Sequence, residues 1–79
     1  MSTGEKDAAF DRVYAELFRD VFSYFNVCFG AEAAEDLAQE VFLRVWKTLD
    51  GGKIPDSWRA WVFRCAVNLK NDFLRQKYA

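Results

Sequence analysis

The 79-residue chain contains no histidine, one proline, four glycines and two cysteines. Each shortage removes a class of explanation. Without imidazole there is no ordinary general base near neutral pH, and the commonest zinc ligand is missing. Cys28 and Cys65 lack the close spacing of a metal knuckle. A zinc site would have to recruit carboxylates, so no metal or cofactor is expected. Both cysteines sit beside apolar residues at helical positions, where a free thiol behaves as a small hydrophobe. No apolar run approaches the roughly 20 residues needed to cross a bilayer, and the amino terminus lacks the basic-then-apolar layout of a signal peptide. A cytoplasmic protein with no membrane role is the simplest reading. No glycine-rich phosphate loop or paired-carboxylate constellation is present, so an enzyme is the weakest option.

What the chain does have is rings. Phe, Tyr and Trp number 14, and 52% of residues are hydrophobic. Large rings are an effective way to stabilise a core this small. Disorder is expected only in the polar stretch of residues 1–6, leaving residues 7–79 as one domain. Gly30, the Gly51-Gly52 pair and Pro55 divide the chain into three predicted helices, at about 7–29, 32–49 and 57–77. The first carries Phe10, Val13, Tyr14, Leu17, Phe18, Val21, Phe22 and Phe25 at three- and four-residue steps and should end at Gly30 as a left-handed cap. Asp56 or Ser57 can cap the third. No alternating strand pattern or internal repeat occurs. The fold class is all-α, a compact three-helix bundle.

Net charge is only −1, yet it is unevenly spread. Residues 1–50 hold ten acidic and five basic side chains, whereas residues 51–79 hold two acidic and six basic. Local patches govern binding more than the sum does.

The second predicted helix has more apolar surface than one core requires. Leu37, Ala38, Val41, Val45 and Leu49 form its core stripe. Phe42, Leu43 and Trp46 fall outside it, beside Asp36, Gln39 and Glu40, as if a second partner were waiting. The third predicted helix places Trp58, Trp61, Val62, Cys65, Leu69 and Phe73 on one apolar face and Phe63, Val67 and Leu74 on another, which suggests a helix wedged between neighbours. Its remaining stripe is Arg64, Asn68, Asn71 and Arg75. Arginine takes phosphate oxygens bidentately, and asparagine can both donate to and accept from base edges. On its own, such a stripe reads more readily as an ordinary solvated face. Arg59, Lys53 and Lys70 lie off it as generic phosphate candidates.

The wording of these segments narrows the choice. Residues 34–46, AEDLAQEVFLRVW, closely resemble region 2.2 of bacterial RNA polymerase sigma factors of the extracytoplasmic-function (ECF) group. Residues 58–68, followed by Asp72 and Arg75, resemble regions 2.3 and 2.4 of the same family. With the first helix and the 50–57 loop, the resemblance covers about residues 9–76, with its motifs in order and at matching spacing.

The resemblance implies a non-enzymatic domain that melts promoter DNA and captures the −10 element as a single non-template strand. Asn68 would read a flipped base, Arg64 and Cys65 would help to line its pocket, and Asn71 and Arg75 would follow the backbone. Asp36, Gln39, Glu40, Phe42, Leu43 and Trp46 would face the coiled coil of the polymerase β′ subunit, with the rings as desolvated anchors. The same surface could take an anti-sigma factor, or a second copy when no partner is present. Two positions depart from the family pattern. Gly51-Gly52 stands where an aromatic usually helps to form the base pocket, and Cys65 replaces a branched aliphatic. An interaction module of sigma ancestry that no longer reads DNA is therefore the competing reading. A complete ECF sigma factor continues to a second helical domain that reads the −35 element, so the chain is expected to be a fragment.

Overall fold

The computed structural model describes the backbone of residues 3–78 and the side chains of residues 4–76. Three helices make up the bundle: α1 (Thr3–Phe29), α2 (Ala31–Asp50) and α3 (Trp58–Tyr78). Among the described residues there is no strand, and no helix is long and apolar enough to cross a membrane. The bundle measures 42 × 22 × 19 Å. Its long axis matches the ~40 Å that the 27 residues of α1 span at about 1.5 Å per residue.

The helix ends follow from local chemistry. A single residue, Gly30, joins α1 to α2: its N–H donates to the Asn26 carbonyl (2.9 Å), and its own carbonyl accepts from the Ala34 N–H (3.0 Å). One residue thus closes one helix and opens the next. Its φ of 91° and ψ of 167° lie in an extended mirror region open essentially to glycine alone, not in the left-handed helical cap expected from sequence. At the far end of α2, the Gly51 and Gly52 N–H groups donate to the Lys47 and Leu49 carbonyls, both at 3.0 Å. Gly52 has φ +76°. Ser57, of the two candidate caps, starts α3: its Oγ accepts from the Ala60 N–H at 3.2 Å.

The core is wholly apolar. Val13, Leu17, Val21 and Phe25 of α1 meet Ala34, Ala38, Val41, Phe42, Val45 and Leu49 of α2 and Val62, Ala66 and Leu69 of α3. The first set repeats every four residues, as a long helix packed against two others requires.

Several expectations need correction. Residues 3–6 are helical, so α1 starts four residues earlier than anticipated; residues 1–2 lie outside the described residues. This first turn is tied down by Lys6, whose ammonium pairs with Asp50 (2.6 Å) and sits 4.6 Å from the Trp46 ring centre. Hydrogen bonding from Lys6, and then its charge, holds the Asp50 carboxyl below its ordinary value. On α2, Leu37 is only half-buried while Phe42, at 3% exposure, belongs to the core. On α3, Val67 is 44% exposed, so its second apolar face is only partly covered, and Ala66 fills the core beside it.

Candidate nucleic-acid and protein interfaces

The outward face of α2 carries Asp36, Gln39, Glu40 and Leu43 at steps of three, one and three residues, which align them on one side of a helix. Asp36 and Gln39 are exposed, Glu40 is half-exposed, and Leu43 is 45% exposed. The Arg44 guanidinium lies 3.5 Å from the Glu40 carboxylate, an i,i+4 pair of the kind that contributes little by itself. This stripe presents one apolar side chain flanked by anions and an amide.

Phe42 and Trp46 are not part of it. Both turn toward α1. Phe42 packs edge-on against Tyr14 (5.0 Å between centroids) and Phe10 (6.4 Å), and tilted against Phe18 (5.8 Å). Trp46 stands edge-on to Phe10 at 5.5 Å beneath the Lys6 ammonium. The apolar arc of α2 is wide because the helix must cover two neighbours, and these rings are its α1-facing edge. The expected outward anchors are thus core packing in the case of Phe42 and seam packing in that of Trp46. Leu43 alone among the three off-stripe apolar residues faces solvent freely.

On α3, Arg64, Asn68, Asn71 and Arg75 are all exposed along one face. Arg75 is 3.8 Å from Asp72, while Arg64 has no carboxylate partner among the described residues. At the start of this face is a hollow of about 240 Å³ lined by Pro55, Asp56, Ser57, Ala60, Trp61 and Arg64. Arg64 therefore lines the hollow and also heads the polar stripe. Trp58 stands edge-on to Trp61 at 5.4 Å, and both rings pack partly on the core.

The other expected nucleic-acid residues are distributed differently. Lys53 is exposed on the loop leading to the hollow. Arg59 lies about 140° around the helix from Arg64, five residues at 3.6 per turn. It pairs with Asp20 of α1 (3.2 Å) and sits 6.0 Å from the Phe63 ring, so the structure does not bring it to the stripe. Cys65 does not line the hollow either. It packs half-buried near Arg44 of α2, and burial pushes its thiol pKa up against the opposing influence of Arg44 and Arg64. Arg44 is a residue that no sequence pattern singles out: nothing in its spacing announces a contact with α3. Gly52 explains the departure in the loop. At φ +76° any side chain is strained, although the space beside it is open.

The sigma-70 region 2 family model matches residues 10–79. The chain is 32% identical over 78 residues to the ECF RNA polymerase sigma factor SigW of Bacillus subtilis, covering 94% of this chain and 40% of that protein. It is 43% identical over 47 residues to a probable RNA polymerase sigma factor of Haemophilus influenzae, covering 60% of this chain and 24% of that protein. The chain thus spans less than half the length of these relatives. No solved structure matches it significantly.

Proposed function

We propose, because this chain belongs to the sigma-70 region 2 family, that it serves transcription initiation by joining polymerase to a single-stranded promoter element. In this reading the outward stripe of α2 (Asp36, Gln39, Glu40 and Leu43) binds the β′ coiled coil. The α3 stripe binds the non-template strand of the −10 element, and the protein works in the cytoplasm beside its polymerase. Asn68 and Asn71 supply base-edge hydrogen bonds, and Arg64, Arg75 and Lys53 supply phosphate contacts. The role is one of binding.

One observation carries the DNA half of this reading: Arg64 is shared between the hollow and the stripe. A strand held along Arg64, Asn68, Asn71 and Arg75 has a concave receptor for an unstacked base at its end, and extrusion of a base requires such a receptor. Trp61 offers a ring at the same place.

The test is fluorescence anisotropy with labelled A/T-rich single strands at two salt concentrations. Arg64→Ala should weaken binding and reduce the salt slope by about one phosphate contact. Asn68→Ala should weaken binding with the salt slope intact, because it removes a base contact. Both variants should keep wild-type helicity, since both residues are exposed. Wild-type binding by both variants would remove α3 as the DNA face. The second reading, a protein-binding module that no longer reads DNA, draws on Asp56, an acidic residue lining the hollow. No measurable binding of any strand by the wild-type chain would favour it.

A further inference from the structure

A second hollow lies away from the loop, where the end of α1, the first turns of α2 and the last turns of α3 converge. Its volume is about 420 Å³, and it is lined by Phe29, Glu32, Ala33, Asp36, Leu37 and Phe73. Leu37, which the helical pattern assigns to the core, packs against it and also lines this opening. The Phe29 and Phe73 rings lie 4.6 Å apart and are inclined at 50°. Glu32 and Asp36 are one turn apart on α2, so their carboxylates share a side, and both residues are exposed. Ion pairs among the described residues engage Asp20, Glu40, Asp50 and Asp72, and none there reaches Glu32 or Asp36.

We infer that this hollow is a protein-docking site whose occupant is an arginine side chain, flanked by apolar residues, on a segment of a partner protein. The wall is apolar and aromatic, the rim is anionic, and arginine matches both. Its planar guanidinium stacks on ring faces and offers paired N–H donors to carboxylates, while its stem lies against apolar surface. A lysine ammonium is more strongly hydrated and lacks the planar fork. An anionic ligand would face two carboxylates. The volume exceeds what one guanidinium needs, and Ala33 and Leu37 leave apolar room for a neighbouring aliphatic side chain of the same segment. The inference does not depend on the docking role of Gln39, Glu40 and Leu43. It uses Asp36 in common with that stripe, but Phe29, Glu32 and Phe73 lie outside it.

The test is a ¹⁵N-HSQC titration of the chain with two short leucine-rich amidated peptides that differ only in carrying arginine or its neutral isostere citrulline at the centre. The arginine peptide should give saturable shifts at Phe29, Ala33, Leu37 and Phe73. Affinity should fall on the order of tenfold with citrulline, as for loss of a charge from a hydrogen-bonded pair. It should fall similarly for the arginine peptide with Glu32→Gln or Asp36→Asn. Equal binding of both peptides would reduce the hollow to a non-specific apolar groove and overturn the inference. So would shifts confined to Gln39 and Leu43, or saturation by N-acetyl-arginine amide as tightly as by the peptide, which would make it a small-cation site. The citrulline arm uses the unaltered chain, so the inference stays testable even if a variant folds poorly.

Discussion

Replacing Phe42 with alanine lowers the stability of this domain by about 3–5 kcal/mol, the usual cost of emptying a buried phenylalanine site. Phe42 is almost fully buried and is the one ring of α2 in contact with Phe10, Tyr14 and Phe18 together. Its loss leaves a void along the α1–α2 seam that these rings cannot fill, because they pack on one another as well: Tyr14 stacks on Phe18 at 4.7 Å. Marginal stabilities of about 5–15 kcal/mol are normal, and small domains lie toward the low end. Urea unfolding followed by circular dichroism should therefore show a midpoint shifted far toward zero denaturant, with a substantial unfolded fraction in buffer. A wild-type midpoint would mean that Phe42 is a surface residue. The distinction has practical force, since lost polymerase binding in Phe42→Ala would reflect lost folding.

Leu43 behaves in the opposite way. Leu43→Asp should leave the unfolding free energy within about 0.5 kcal/mol of wild type, as for an exposed substitution. Combined with Gln39→Ala, it should weaken capture of a β′ coiled-coil fragment on the order of a hundredfold. Leu43 is the single apolar side chain of the outward stripe. An apolar contact ringed by polar groups is where binding energy concentrates, and placing a carboxylate there buries an unpaired charge in the complex. Isothermal titration calorimetry of the fragment against the double variant reads this directly. Unchanged affinity would move the docking surface off α2.

The elements of the fold were legible because their signals are local. Gly30, Gly51-Gly52 and Pro55 mark the breaks, and the four-residue repeat of Val13, Leu17, Val21 and Phe25 marks the long helix. The polar stripe on α3 was legible for the same reason: exposure of Arg64, Asn68, Asn71 and Arg75 follows from one helix considered alone. What was hidden depends on where neighbours sit. The pattern of α2 shows a broad apolar arc, but the arrangement of α1 and α3 decides that Phe42 is covered and Leu37 half open. Thr3–Lys6 has no apolar signal at all; its helical turn rests on Lys6 reaching Trp46 and Asp50, 40 and 44 residues away in sequence. Arg59 resembles its neighbours in charge, and only Asp20 on α1 assigns it to another face. Each hollow draws on one face of a helix, Glu32, Ala33, Asp36 and Leu37 in one and Ser57, Ala60, Trp61 and Arg64 in the other, but what completes it, Phe29 and Phe73 or Pro55 and Asp56, comes from outside that face.

In the proposed arrangement, two outward faces on neighbouring helices hold polymerase and a single DNA strand at the same time. The decisive measurement is fluorescence anisotropy of a labelled A/T-rich strand bound by the chain and titrated with the β′ coiled-coil fragment. A further rise in anisotropy is expected as a ternary complex forms, with no rise when the fragment is added to the strand alone. A fall to the value of free DNA would show that the two partners compete for one surface and would contradict the assignment of α2 to polymerase and α3 to the strand.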